Sequence, residues 1–309
     1  MHRTPCKKSA TFNKITEKNV FLKLENLQKT GSFKIRGAMN KVSQLSEAEC
    51  AKGLIAASAG NHAQGVAFAG KARNVPVTIF MPLGTPVSKV NATKGYGATV
   101  KLIGQNFDEA YIAAREEQLR TGATFIHPFD DMTIIEGQAT VAMEMLQQRP
   151  ELDTIVVPAG GGGLLAGTLL AVKSIRPDIR VIGVQSSNAS AIAFAYKGKG
   201  DGLLPFQGKT IAEGINVKTP GNLTMKIIQA LVDDVITVSE QEIASAILFT
   251  LEREKTLIEG AAAAAVAAVL NHRIPGSSQN IGIIVSGGNF DVSKLVECQQ
   301  LCTDMPLAK

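Results

Sequence analysis

The feature that most constrains this chain is a rhythm: a short β-branched run, a turn carrying Gly, Pro or Asn, then a helical stretch, over and over. Parallel strands cannot be joined by tight hairpins, so this alternation predicts crossover helices and an α/β fold built on open parallel sheets. Strands are expected over 20–24, 54–57, 77–81, 99–103 and 124–126, then over 154–157, 181–184, 235–238 and 281–285. Several are apolar on both alternating faces, as strands covered by helices on both sides must be. Residues 107–119 read as an amphipathic helix, and Ser239 with Glu242 reads as a capping box ahead of a helix over 243–251. The stretch 198–202, Gly-Lys-Gly-Asp-Gly, is expected to be a surface loop.

Composition narrows the function. The longest apolar runs, 164–172 and 261–270, are half the roughly twenty residues that a membrane span needs, so they are expected as buried helices and no membrane partner is expected. Trp is absent, and the small net charge of +5 comes from scattered lysines and arginines of the kind a solvated surface carries. Neither a stacking platform nor a basic stripe for nucleic acid is evident. Cys6, Cys50, Cys298 and Cys302 have neither metal-ligand nor redox spacing, which speaks against a zinc site and a disulfide framework. With no signal-peptide pattern at the start of the chain, a reduced cytoplasmic location is expected.

Three loops at strand ends carry the chemistry. Gly160, Gly161, Gly162 and Gly163 follow the strand over 154–157 and open an apolar helix. Without Cβ atoms such a loop turns sharply and aims several N–H groups at one anion, with the helix N-terminus behind it. Gly161, Gly163 and Ala166 also satisfy the dinucleotide pattern G-x-G-x-x-G/A, but the next strand ends at Gln185, where that reading needs a carboxylate. The second loop, Ser58-Ala59-Gly60-Asn61-His62, could grip a carboxylate through backbone N–H groups, or could be an ordinary N-cap; His62 reads as a hydrogen-bonded structural histidine. The third is Ser286-Gly287-Gly288-Asn289. Ligands of open α/β sheets bind beyond the carboxyl ends of the strands, so all three loops are expected at one crevice.

Lys34, in Gly31-Ser32-Phe33-Lys34-Ile35-Arg36-Gly37, would by default be a solvated lysine. Its apolar neighbours point instead to a setting that favours the neutral, nucleophilic amine. The run 29–38 resembles the lysine motif of the threonine/serine dehydratases, pyridoxal-phosphate enzymes of the tryptophan-synthase-β fold (fold type II). Residues 58–65 resemble their substrate loop, 160–163 their phosphate loop and 286–289 their pyridine-contacting segment, in the same order. Pro220-Gly221-Asn222-Leu223-Thr224 and Val232-Asp233-Asp234 follow that order too, and the resemblance, nearest to the catabolic threonine dehydratases, covers almost the whole chain.

The resemblance implies β-elimination from threonine or serine with pyridoxal 5'-phosphate as cofactor. Lys34 would be the Schiff-base lysine and later move the Cα proton. Phe33 would pack beside the cofactor, Asn61 would meet its ring hydroxyl, Gly160, Gly161, Gly162 and Gly163 would hold its phosphate, and Ser286 its ring nitrogen. Ser58, Ala59, Gly60, Asn61 and His62 would bind the substrate, while Gly214 and Glu259 match pocket-lining positions. A smaller mobile domain is expected over 54–131, with 1–53 and 132–309 forming the cofactor domain, and a homo-oligomer (dimer or tetramer) is expected.

Departures from related families are equally specific. Ala59 stands where many serine racemases carry a proton-exchanging serine, so racemisation is expected to be minor. The stretch 185–191 lacks the carboxylates that bind a divalent ion in those racemases, so no metal is expected. The chain stops soon after the catalytic core, so inhibition by isoleucine through a C-terminal regulatory domain is not expected, and its N-terminus is shorter than is usual in the family. Serine racemase or serine dehydratase, and a non-catalytic ligand-binding module, are the competing readings.

Overall fold

Strands that are apolar on both faces gather into two sheets. The structure, a computed structural model, describes residues 1–198 and 206–303. The loop expected at 198–202 therefore lies, beyond Gly198, outside the described residues. The larger sheet runs in the order β1 (Cys6–Lys8), β2 (Asn19–Leu24), β10 (Asn280–Val285), β7 (Thr154–Pro158), β8 (Arg180–Ser186) and β9 (Asp234–Val238). The smaller runs β5 (Thr99–Leu102), β4 (Val77–Met81), β3 (Leu54–Ala57) and β6 (Thr124–Phe125). Only β1 pairs antiparallel among these strands; it is three residues long, too short to leave a periodic signal.

Helices supply the crossovers. They are α1 (Ala10–Thr16), α2 (Lys34–Ser43), α3 (Glu47–Ala51), α4 (Asn61–Ala72), α5 (Val87–Gly95), α6 (Phe107–Thr121) and α7 (Met132–Gln148). Then come α8 (Gly163–Ile175), α9 (Ala191–Lys197), α10 (Asn222–Leu231), α11 (Glu240–Glu254), α12 (Gly260–Leu270) and α13 (Leu295–Cys302). The capping box at Ser239 is formed in both directions. One apolar cluster packs α11 and α12 against the larger sheet, and a second packs α7 and α8 against it. Helix α12 is buried on every side because its alanines let neighbours approach closely. A third cluster covers the smaller sheet and takes in Ala38 and Val42 of α2. Among the described residues no helix is long and apolar enough to cross a membrane.

Reading all the basic residues as a solvated surface fails at Lys23 and Arg36, which are 0% and 1% exposed. Both are paired beneath α2. Arg36 is gripped by both oxygens of Glu25 at 2.7 Å and reaches Glu144, which also holds the Lys23 amine. Buried charges persist only when paired in this way, and the pairing ties β2, α2 and α7 together under Lys34.

Candidate active site

The carboxyl ends of β3, β7 and β10 face one cavity of about 1080 Å³. Lys34, Ser58, Ala59, Gly60, Asn61, His62, Gly160, Gly161, Gly162, Gly163, Gly214, Glu259 and Ser286 all line it, as does Phe33. The three loops and the lysine therefore converge as the sequence predicts.

The tetraglycine loop is shaped by its neighbours. Gly162, the N-cap of α8, has φ of 95°, a left-handed conformation that favours glycine. A methyl group on Gly161 would stand 2.3 Å from the Phe129 ring, and one on Gly160 would stand 2.9 Å from the backbone of Ile215. Among the described residues, the N–H groups of 160–163 donate to no protein acceptor. Four donors at a helix N-terminus are thus left for a ligand.

Lys34 opens α2, and its amine donates to the Pro128 carbonyl at 2.7 Å, 5.3 Å from the centre of the Phe33 ring. Burial lowers its pKa to about 8, and the Glu259 carboxylate only partly opposes this. The loop before it is laced to the end of β10: Phe33 N–H donates to the Ser286 carbonyl at 3.0 Å. Gly65 lets α4 approach, since a methyl there would stand 3.1 Å from the Lys34 backbone. Ser286 is buried, and its hydroxyl makes no hydrogen bond among the described residues.

The Ser58–His62 loop is held differently. The Ser58 hydroxyl accepts from Gly60 N–H at 3.2 Å, and Gly60 caps α4 without any side-chain bond, so the simple N-cap reading does not describe it. Asn61 donates to both oxygens of Glu259 at 2.8 and 2.9 Å, and its own carbonyl accepts from Asn289 at 2.7 Å. Burial pushes Glu259 up to about 7 against the Asn61 bond and the Lys34 charge. That carboxyl is a side-chain acid near neutrality. His62 bonds the Ile126 carbonyl through Nε2 at 2.8 Å; burial, then the Lys34 charge, lowers it to about 3 and keeps it neutral.

Sequence reading missed residues 127–130. His127 Nδ1 accepts N–H bonds from Phe129 (3.2 Å) and Asp130 (2.7 Å), and burial lowers its pKa to about 4. The Asp130 carboxylate takes the N–H groups of Asn222, Leu223 and Thr224 at the start of α10. The available signal was position: His127-Pro128-Phe129-Asp130 also follows a strand of this rhythm and precedes a helix.

Comparison with known proteins gives consistent findings. The family model described as "Pyridoxal-phosphate dependent enzyme" matches residues 1–287. A protein of Thermotoga maritima named L-threonine ammonia-lyase is 48% identical over 297 residues, 96% of this chain and 73% of the relative. Among solved structures, the processed form of threonine deaminase isoform 2 from Solanum lycopersicum superposes with a TM-score of 0.91 at 35% identity, covering 98% of this chain and 88% of that one. Maize serine racemase superposes at 0.90 with 38% identity, covering 97% and 92%.

Proposed function

Because this chain belongs to the pyridoxal-phosphate-dependent enzymes, we infer that it is a threonine ammonia-lyase: it eliminates water and then ammonia from L-threonine to give 2-oxobutanoate, and converts L-serine to pyruvate. The residues present fit the cofactor. Among the described residues the N–H groups of 160–163 and the Ser286 hydroxyl bond no protein group, which suits a phosphate and a ring nitrogen, and an amine titrating near 8 suits an aldehyde. When bound, pyridoxal phosphate supplies the electron sink that makes the Cα proton of an amino acid removable.

Everything else falls to the chain's own groups. Lys34 would hold the cofactor and take the Cα proton, since its lowered pKa leaves a usable fraction neutral near pH 7. Phe33 and Asn61 would flank the ring, with Glu259 fixing Asn61. A serine beside the ring nitrogen, in place of a carboxylate, would leave that nitrogen unprotonated and favour prompt loss of the β-hydroxyl. Ser58 and the backbone of 60–62 would bind the substrate carboxylate. Closure of the lobe 54–131 would then exclude water. Four free cysteines suit a cytoplasmic location, and a dimer or tetramer is expected in solution.

One observation carries this reading: a partly buried amine shares one cavity with a row of N–H donors and a serine hydroxyl that, among the described residues, bond no protein group. The purified protein should show visible absorbance that threonine perturbs, and borohydride should attach the cofactor to Lys34. Lys34→Ala should lose the absorbance and all 2-oxobutanoate formation while keeping its circular dichroism; a colourless, unmodified wild type overturns the reading. The likeness to maize serine racemase makes a D-serine assay the companion test, and Ala59, which cannot exchange a proton, favours the lyase.

A further inference from the structure

The tetraglycine loop is gripped from outside by a segment with no role in the chemistry described so far. The carbonyl of Gly161 accepts two hydrogen bonds from the first turn of α10, from the Thr224 hydroxyl at 2.8 Å and from Gly221 N–H at 3.2 Å. Thr224 is fully buried, and its hydroxyl also lies 3.1 Å from the Gly221 carbonyl. A methyl group on Gly162 would stand 2.8 Å from the Thr224 side chain, so helix and loop touch directly. Asp130 fixes that turn by accepting three of its N–H groups.

The peptide between Gly161 and Gly162 is trans and planar, so its carbonyl and its N–H point in opposite directions. Tying the carbonyl to α10 turns the Gly162 N–H away from α10, where it meets no protein acceptor among the described residues. We propose that Thr224 is a positioning residue for the cofactor's phosphate: its hydroxyl, by holding the Gly161 carbonyl, aims the Gly162 N–H at the anion. The proposal rests on the reading that 160–163 hold that phosphate, and it assigns a task to the Pro220–Thr224 motif that the reaction itself leaves without one. A glycine loop has no side chains with which to fix its own shape, so an outside anchor is physically required for donors that must be aligned before the anion arrives.

The test compares two probes on the cofactor-free full chain, pyridoxal 5'-phosphate and 5'-deoxypyridoxal, which keeps the aldehyde and ring but lacks the phosphate. Binding is followed by absorbance. Thr224→Val removes the hydroxyl at nearly constant volume and should weaken binding of the phosphorylated probe about five- to tenfold, the range for one buried hydrogen bond. Binding of 5'-deoxypyridoxal should not change, and Thr224→Ser should restore wild-type affinity. If the valine variant does not fold, Thr224→Ala carries the same expectation. Equal loss of both probes, or no loss of either, overturns the proposal. A wild type that does not prefer the phosphorylated probe overturns the phosphate-loop reading as well, and is distinguishable because it needs no variant.

Discussion

Two strand-to-helix loops meet across the cavity, and they are glycine-containing for opposite reasons. At 160–163 the protein itself demands glycine: Phe129, Thr224 and Ile215 stand where side chains would go. At Gly60 nothing lies within 4 Å of the place a Cβ would take. The first loop is braced into one shape; the second leaves open room on its cavity side. A permanently bound group calls for the former, because aligned donors hold an anion without reorganising. A substrate that enters and leaves at every turnover calls for the latter.

The contrast is sharpest under paired substitution. Gly161→Ala drives a methyl into the Phe129 ring and should cost about 2–3 kcal/mol of folding stability, the scale of overpacking in a filled interior. Cofactor affinity should fall with it. Gly60→Ala should change the denaturant midpoint by no more than about 1 kcal/mol equivalent, and should show instead as a raised KM for threonine. Equal destabilisation by both would erase the distinction between a braced loop and an open one.

Two groups that line the cavity, Glu259 and Lys34, make opposite contributions to the pH dependence of stability. Glu259, bonded to Asn61 of the open loop, titrates at about 7 in the fold. Its contribution is complete below the ordinary carboxylate range and is lost as pH rises through 7, because the folded state holds the proton longer than the unfolded chain. Lys34 titrates at about 8 in the fold, below an ordinary lysine. Its contribution is complete above the ordinary lysine range and is lost as pH falls through 8. The combined contribution of these two groups should therefore be smallest between pH 7 and 8, by something on the order of 1 kcal/mol. In urea titrations across pH 5 to 9, Glu259→Gln should lose stability more steeply than wild type as pH falls below 7, and Lys34→Met should lose the rise in stability above pH 8. His62 and His127, lowered to about 3 and about 4 in the fold, oppose Glu259 below the ordinary imidazole range, because the unfolded chain binds protons there that the folded chain does not; their contribution is lost as pH falls through their folded values.

Legibility in the sequence followed the same division. The strands and their loops could be read because β-branched runs, glycines and capping residues impose local geometry on any chain. The braced loop was read for its N–H donors but not for its bracing, since Phe129, Asp130 and Thr224 act on it from distant positions through a ring face, a cap and one hydroxyl. The Pro128 carbonyl that holds the Lys34 amine is a backbone group, available at any residue type, so no pattern announces it. The ion pairs beneath α2 were hidden for another reason: a charge in sequence looks the same whether it faces water or a buried partner, and Arg36 meets Glu25 only once β2 and α2 are packed.

A last and smaller effect concerns how the open side is held to the rest. Lys89, on α5 beside the smaller sheet, reaches across the cavity rim to Glu213 at 2.6 Å, and Glu213 also pairs with Lys294. The Glu213 side chain is 48% exposed, so the contact sits in water-accessible surroundings where an ion pair is worth well under about 1 kcal/mol. If the lobe proposed over 54–131 closes on the rest, a bond of that size would bias the closure without locking it. Lys89→Met should accordingly raise KM for threonine about two- to threefold with kcat nearly unchanged, and the difference from wild type should shrink in high salt, which already screens the pair. An effect of tenfold or more that persisted in 1 M salt would mean that the rim is clamped as firmly as the tetraglycine loop, and the two sides of the cavity would then be built alike.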